Sequence, residues 1–223
     1  MTRARDLADS ADKDIAGTLT LDGLTVAGNV SVDGGTIKLD GAYPVGTANT
    51  ALGDAALDSL TSGGSNVAIG NGTLTANTSG NNNVGMGRRA LISNTSGGAN
   101  VAIGLDSLYS NTTASNNTAV GYEAGYSNTT GTENNALGYK ALYTNTTANQ
   151  NNAFGRTALF ANTTGSHNSA FGHSSLKTNT TGQYNTAHGS QALFSNTTAS
   201  NNTAVGYQAA YSNTTGTRNT GLG

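Results

Sequence analysis

Three groups of residues in this 223-residue chain invite a chemical reading. The histidines His167, His173 and His188 are candidate metal ligands, because imidazole is a common one. Tyr109, Tyr126, Tyr143, Phe160, Phe194 and Tyr211 have the composition of a sugar-contacting surface. Gly85-Met86-Gly87-Arg88-Arg89-Ala90 brushes against a phosphate-cradling glycine loop, but it lacks the third glycine and the strand–helix frame that such a loop needs. No carboxylate pair and no Ser/His/Asp set recurs or converges. The chain is therefore expected not to be an enzyme, with no catalytic residues, no cofactor and no resident metal.

What positions these residues is a repeat. Glycine recurs every 17 residues from Gly53 through Gly70, Gly87 and Gly104 to Gly223 without a break. Each of these glycines has an asparagine four residues before it, as Asn117 precedes Gly121 and Asn134 precedes Gly138. A strict period of this size marks a repeat architecture. With the repeat glycine as position zero, −2 is Ala (Ala119, Ala136) or Gly, and −1 is large and apolar (Val120, Leu137, Phe154, Phe171) except at His188. Position +3 is mostly Ala, +4 mostly Leu, and +7 to +10 read Asn-Thr-Thr-Gly or a close variant. The aromatic column falls at +5, so its rings stand one coil apart and would pack on each other.

The composition suits such an array better than an ordinary domain. Charged residues are 10%, against about 25% in typical globular proteins. There is no cysteine, hence no disulfide framework. No apolar run approaches the ~20 residues that cross a bilayer, and Met1-Thr2-Arg3-Ala4-Arg5-Asp6 lacks the apolar core of a secretory signal. No membrane insertion is expected. Residues 1–58 carry nine acids and four bases, and residues 59–223 carry three acids and six bases. Neither segment has the clustered Lys/Arg of a nucleic-acid footprint.

Three segments follow. Residues 1–16 read as a short attachment helix, with Leu7, Ala11 and Ile15 on one stripe too short to stand alone in water. Residues 17–48 read as a neck of very short strands, with apolar pairs such as Leu19/Leu21 and Val30/Val32 separated by Asp-Gly and Gly-Gly turns. Each strand has too little area for a core, so intertwining between chains is expected. Residues 49–223 are the array.

A 17-residue unit is too short for two ordinary helices, and Asn-Thr-Thr-Gly would break them. Two strands, over −3 to −1 and +3 to +5, with two turns fit instead. The expected fold is all-β, a parallel β-solenoid rising about 4.8 Å per coil, or about 48 Å for ten coils. Gly121, Gly138 and their equivalents would supply a positive φ or a close approach, and the −4 asparagines a ladder of amides from coil to coil. A strand apolar on one face and Ala-tight on the other needs cover from a neighbouring chain. Three chains about an axis is the economical arrangement, and it would bring copies of His188 together. An axial ion there is the sharp alternative to a tolerated substitution. His167 and His173 are expected at the surface.

The unit Asn117-Thr118-Ala119-Val120-Gly121-Tyr122-Glu123-Ala124-Gly125-Tyr126-Ser127-Asn128-Thr129-Thr130-Gly131 carries a resemblance in two directions. Its Asn-Val-Ala-Ile-Gly relatives at 66–70 and 100–104 are similar to the head repeats of trimeric autotransporter adhesins, which implies a trimer of left-handed parallel β-rolls. The longer 17-residue form, with Leu24-Thr25-Val26-Ala27-Gly28-Asn29-Val30-Ser31-Val32-Asp33-Gly34, resembles tail-fibre and appendage proteins of bacteriophages, notably cyanobacterial ones. Gly223 falls inside a repeat, so a proximal piece of a longer fibre, or a covered end, is expected.

The resemblance implies a structural virion protein: a homotrimeric fibre shaft docked by its N-terminus on a tail, baseplate or adaptor protein and supporting host recognition. The alternative is a bacterial surface adhesin whose repeat face binds host matrix or glycan. A sugar-binding solenoid, with contacts from Tyr109, Tyr126, Tyr143 and Tyr211 to a cell-surface glycan, is a further one. An ice-binding solenoid fits less well, because adjacent threonines would face opposite sides of a strand. The Asn-Thr-Thr tracts match glycosylation acceptors but read more simply as turns.

Overall fold

A computed structural model describes residues 48–223. The attachment helix with Leu7, Ala11 and Ile15, and the neck up to residue 47, lie outside the described residues. Within them the chain is a parallel β-solenoid of about ten turns. Eleven three-residue strands, from β1 (Thr50–Leu52) through β5 (Thr118–Val120) and β6 (Asn135–Leu137) to β11 (Thr220–Leu222), pair in sequence order as one sheet. The described residues contain no helix. The register is one full repeat: Thr118 pairs with Asn135, Ala119 with Ala136 and Val120 with Leu137.

Each strand is three residues long because the repeat glycine ends it. The repeat glycines from Gly53 to Gly206 have φ between 127° and 143°, a region closed to side chains. A Cβ on Gly121 would lie 2.6 Å from the Gly138 carbonyl oxygen of the next coil. Position zero is thus doubly restricted, by conformation and by the approach of successive coils.

The second strand expected at +3 to +5 is absent. Positions +1 to +6 form a chain of turns in every coil, with left-handed residues at +2 and +4, such as Lys140 (φ 53°) and Leu142 (φ 53°). The cause lies in the side chains. Ala141 and Leu142 are adjacent and both buried, whereas neighbours on an extended strand face opposite sides. Left-handed backbone costs a Leu about 1–2 kcal/mol, and burying that side chain gains about 1.5–3 kcal/mol, so burial prevails. The turns still make a ladder. Lys140 N–H donates back to the Tyr122 carbonyl at 2.9 Å, and Leu142 N–H donates forward to the Ala158 carbonyl at 3.0 Å.

The interior of a typical coil holds the −2 alanine, a small residue at +3 (mostly Ala), the +4 leucine and two asparagines. The −4 asparagines form one ladder: Asn134 N–H donates to Asn117 Oδ1 at 2.9 Å, and Asn134 Nδ2 donates to the Ala148 carbonyl at 2.8 Å. A second ladder runs through +7, where Asn145 Nδ2 donates to Asn128 Oδ1 at 2.8 Å and to the Ala148 carbonyl at 3.1 Å. In the sequence Asn-Thr-Thr-Gly reads as turn chemistry, yet its first residue is an interior one. Its burial makes the Asn-Thr-Thr tracts at Asn111, Asn128, Asn145 and Asn162 unavailable as glycan acceptors in the folded chain, since all four are within 1% of full burial; Asn213, in the last such tract, is half-buried.

Candidate functional site

Two outer faces carry the candidate residues. The first is the sheet itself. With the −2 alanines turned inward, the −3 residues (Val, Thr, Asn or Ser) and the apolar −1 residues turn outward. Leu52, Met86, Ile103, Phe171 and Val205 are 37–45% exposed in the protomer; Val120 and Leu137 are half-buried. Contiguous exposed apolar patches mark interaction sites, and this stripe recurs along the sheet with one interruption, at His188. Its aromatic members stack, with the Phe154 and Phe171 rings 4.6 Å apart and 5° from parallel. His188 meets Phe171 edge-on at 4.6 Å and is exposed. Among the described residues no group of three His, Cys, Asp or Glu side chains is placed to hold a metal.

The second face follows the repeat glycine and is built from +1, +2 and +5. Here the structure brings together Tyr109, Tyr126, Tyr143 and Phe160, stacked in series with centroids 4.9, 5.2 and 5.2 Å apart. Tyr211 stacks separately on Phe194 at 5.0 Å, and Tyr122 on Tyr139 at 5.4 Å. The stacking determines what the rings can do. Tyr126 lies between Tyr109 and Tyr143, so both of its faces are occupied by neighbouring rings. The first ring of the series, Tyr109, has the Arg89 guanidinium over it at 5.2 Å, a favourable cation–π placement.

Charge pairs on this face span one coil, a signal available in the sequence as opposite charges 17 residues apart. Arg89 holds Asp106 through two parallel hydrogen bonds, Nε to Oδ1 and Nη2 to Oδ2, the strong bidentate geometry. Lys140 Nζ lies 3.1 Å from Glu123 Oε2, though that buried oxygen makes no aligned hydrogen bond. The Glu123 carboxylate raises both the Lys140 ammonium and the Tyr122 hydroxyl above their ordinary pKa values. Burial between its neighbours does the same for Tyr126, and hydrogen bonding to Asp106 does it for Arg89. Lys140 also lies 4.9 Å from the centre of the Tyr143 ring.

The remaining candidates sit apart. His167 and His173 are exposed; His167 stacks on Tyr184 at 4.7 Å. Gly85-Met86-Gly87 is a strand and its corner, followed by turns rather than a helix, and Arg89 is committed to Asp106. Along the Asn-Thr-Thr tracts the first threonine is tied down, Thr129 Oγ1 donating to the Thr146 carbonyl at 2.9 Å, while the second, Thr130, is exposed. Comparison with protein-family models, with curated proteins and with solved structures found no match for the chain.

Proposed function

We propose that the chain is a structural protein of a bacteriophage virion: the shaft of a homotrimeric tail fibre or appendage, docked by its N-terminal segment on a tail, baseplate or adaptor protein. The shaft works mechanically. Each coil is bonded to the next through backbone and through two amide ladders, so it resists bending and proteolysis and holds a host-recognition tip away from the particle. The reading is supported above all by the apolar −1 stripe. It repeats at the rise of the solenoid, and a parallel copy of the same chain presents the same rise, so copies side by side match rung for rung. The likeness of the repeat to fibre and appendage repeats supplies the biological setting.

A second reading, a trimeric bacterial surface adhesin, is favoured by the Asn-Val-Ala-Ile-Gly units at 66–70 and 100–104. Both readings share the assembly and differ in location. Immunogold labelling of virions from a phage carrying the gene, with antibody raised against the purified chain, separates them. Label on fibres or appendages is expected. Virions free of label, with label on the surface of the bacterial cell, would contradict the phage reading.

A further inference from the structure

We infer that the +1/+2/+5 face of the Gly155 and Gly172 coils binds anionic polysaccharide, through Arg156 and Lys177. The inference rests on the assembly reading in one respect: the sheet face, and not this one, makes the contact between copies.

The charge pattern carries the argument. From residue 134 to 223 the chain has no Asp or Glu but four Lys/Arg residues: Lys140, Arg156, Lys177 and Arg218. Lys140 is paired with Glu123 of the preceding coil, and Arg218 is at −5, outside this face. Arg156 at +1 and Lys177 at +5 of the next coil have no carboxylate partner among the described residues. Aromatic rings hold them in place of counter-ions. The Arg156 guanidinium lies 5.5 Å from the Tyr139 ring centre, and the Lys177 ammonium 5.5 Å from that of Phe194.

Arg156 is oriented a second time, by Nη1 at 3.1 Å from His173 Nε2. Arginine has no acceptor, so in this contact the imidazole nitrogen accepts. Ser174 Oγ reaches the same nitrogen at 3.2 Å. Two cations one coil apart, fixed and unneutralised, are thus presented beside hydroxyl groups on an otherwise uncharged surface.

The aromatic stacking selects the class of ligand. Single-stranded nucleic acid is gripped by bases laid on free aromatic faces, and neutral sugars use the same platforms. Beside the two cations the rings are engaged: Tyr139 stacks on Tyr122 and lies under Arg156, and Phe194 stacks on Tyr211 and lies under Lys177, whereas Tyr207 at +1 of the Gly206 coil is an exposed ring. What Arg156 and Lys177 themselves offer is recognition of carboxylate or sulfate groups along an extended chain lying parallel to the stack. Three parallel copies would present three such faces, which strengthens binding by effective concentration.

The test uses the full chain over immobilised heparin (sulfated), hyaluronan (carboxylated), neutral dextran and single-stranded DNA. We expect binding to one or both anionic polysaccharides, weakening with salt, and none to dextran. The R156Q/K177Q double variant should bind about tenfold more weakly at low ionic strength and lose about two charges from the salt dependence, in the manner of counter-ion release. R218Q should bind like the parent. Circular dichroism and sedimentation of the same samples establish that the variants fold and assemble as the parent does. Equal binding by the double variant, loss with R218Q, or tighter binding to DNA or dextran overturns the inference. A parent chain that sediments as a trimer and binds no polyanion refutes this inference alone. A monomer that binds through Arg156 and Lys177 refutes the assembly alone.

Discussion

Asn117 and Asn128 share one acceptor: the Gly131 carbonyl oxygen receives Nδ2 of each, both at 2.9 Å. The two ladders are therefore coupled, and the next coil repeats the arrangement, the Ala148 carbonyl being bonded in the same way to Asn134 and Asn145. A core this thin has little apolar area to stabilise it, and buried amides are tolerated only when fully bonded. The ladder accordingly gives way at its first rung. Position +7 of the Gly53 coil is Leu60, buried at 3% exposure, where apolar burial replaces the amide.

Asn128→Ala removes a rung in the middle of the ladder. It leaves Asn145 Nδ2 without its inter-coil acceptor and Asn111 Oδ1 without its donor. Orphaned buried groups cost about 1–3 kcal/mol each, so urea unfolding should register a loss of about 2–4 kcal/mol. A loss below about 0.5 kcal/mol, the range of ordinary surface changes, would mean that the ladder is not a stabilising element.

Two glycines of one coil should respond differently to alanine. Gly121→Ala places a Cβ 2.6 Å from a backbone oxygen at φ 133°, and neither clash can relax without separating coils. A loss of at least about 3 kcal/mol is expected. At Gly125, φ is 61° and the nearest atom is the Leu108 Cδ2 tip at 3.0 Å, which a flexible side chain can yield. Leucine occupies the same position in most other coils, so Gly125→Ala should cost about 1 kcal/mol. Thermal melts of the two variants check the order, and a reversed order would contradict the packing described.

Much of this was legible in the sequence because each signal occurs once per coil. The glycine corner, the tight −2 position and the −4 ladder follow from Gly121, Ala119 and Asn117 at fixed phase; that the alanine faces its own coil interior, not another backbone, is seen only in the fold. The false second strand arose from reading Ala141-Leu142-Tyr143 as an extended segment. Two adjacent buried residues, Ala141 and Leu142, are the mark of a turn chain, and that mark was present. The +7 ladder was missed because Asn-Thr-Thr-Gly has good turn chemistry, which hides that its first residue points inward. The aromatic column was legible as a column. That its ring faces are mutually occupied follows from one-coil spacing only once the rings are seen parallel.

Alkaline stability should depend on Glu123. Lys140 and Tyr122 both have pKa values raised above 10.5 and 10.0 by this carboxylate. The folded chain then holds these protons more tightly than the unfolded chain, so stability falls as pH rises. The contribution is complete below pH 10.0, the ordinary tyrosine value, and is lost as pH climbs through the folded values. Because the groups are solvent-accessible, the effect is small. Melting temperatures from pH 8 to 11 should fall more steeply for the parent than for Glu123→Gln. Parallel curves would contradict the pairing.

Charge on the sheet face should break assembly without unfolding coils. Val120 and Leu137 face outward on adjacent strands of the stripe, so V120K/L137K places like charges opposite each other where copies are proposed to meet. Circular dichroism should stay close to that of the parent while the assembly dissociates. A double variant that assembles like the parent would move the contact to another face.

The most direct test of the account is the solution mass of the unmodified chain by sedimentation equilibrium. The account predicts a single species at three times the 22.3 kDa chain mass. A stable monodisperse monomer, with Leu52, Met86, Ile103 and Phe171 left in water, would contradict it.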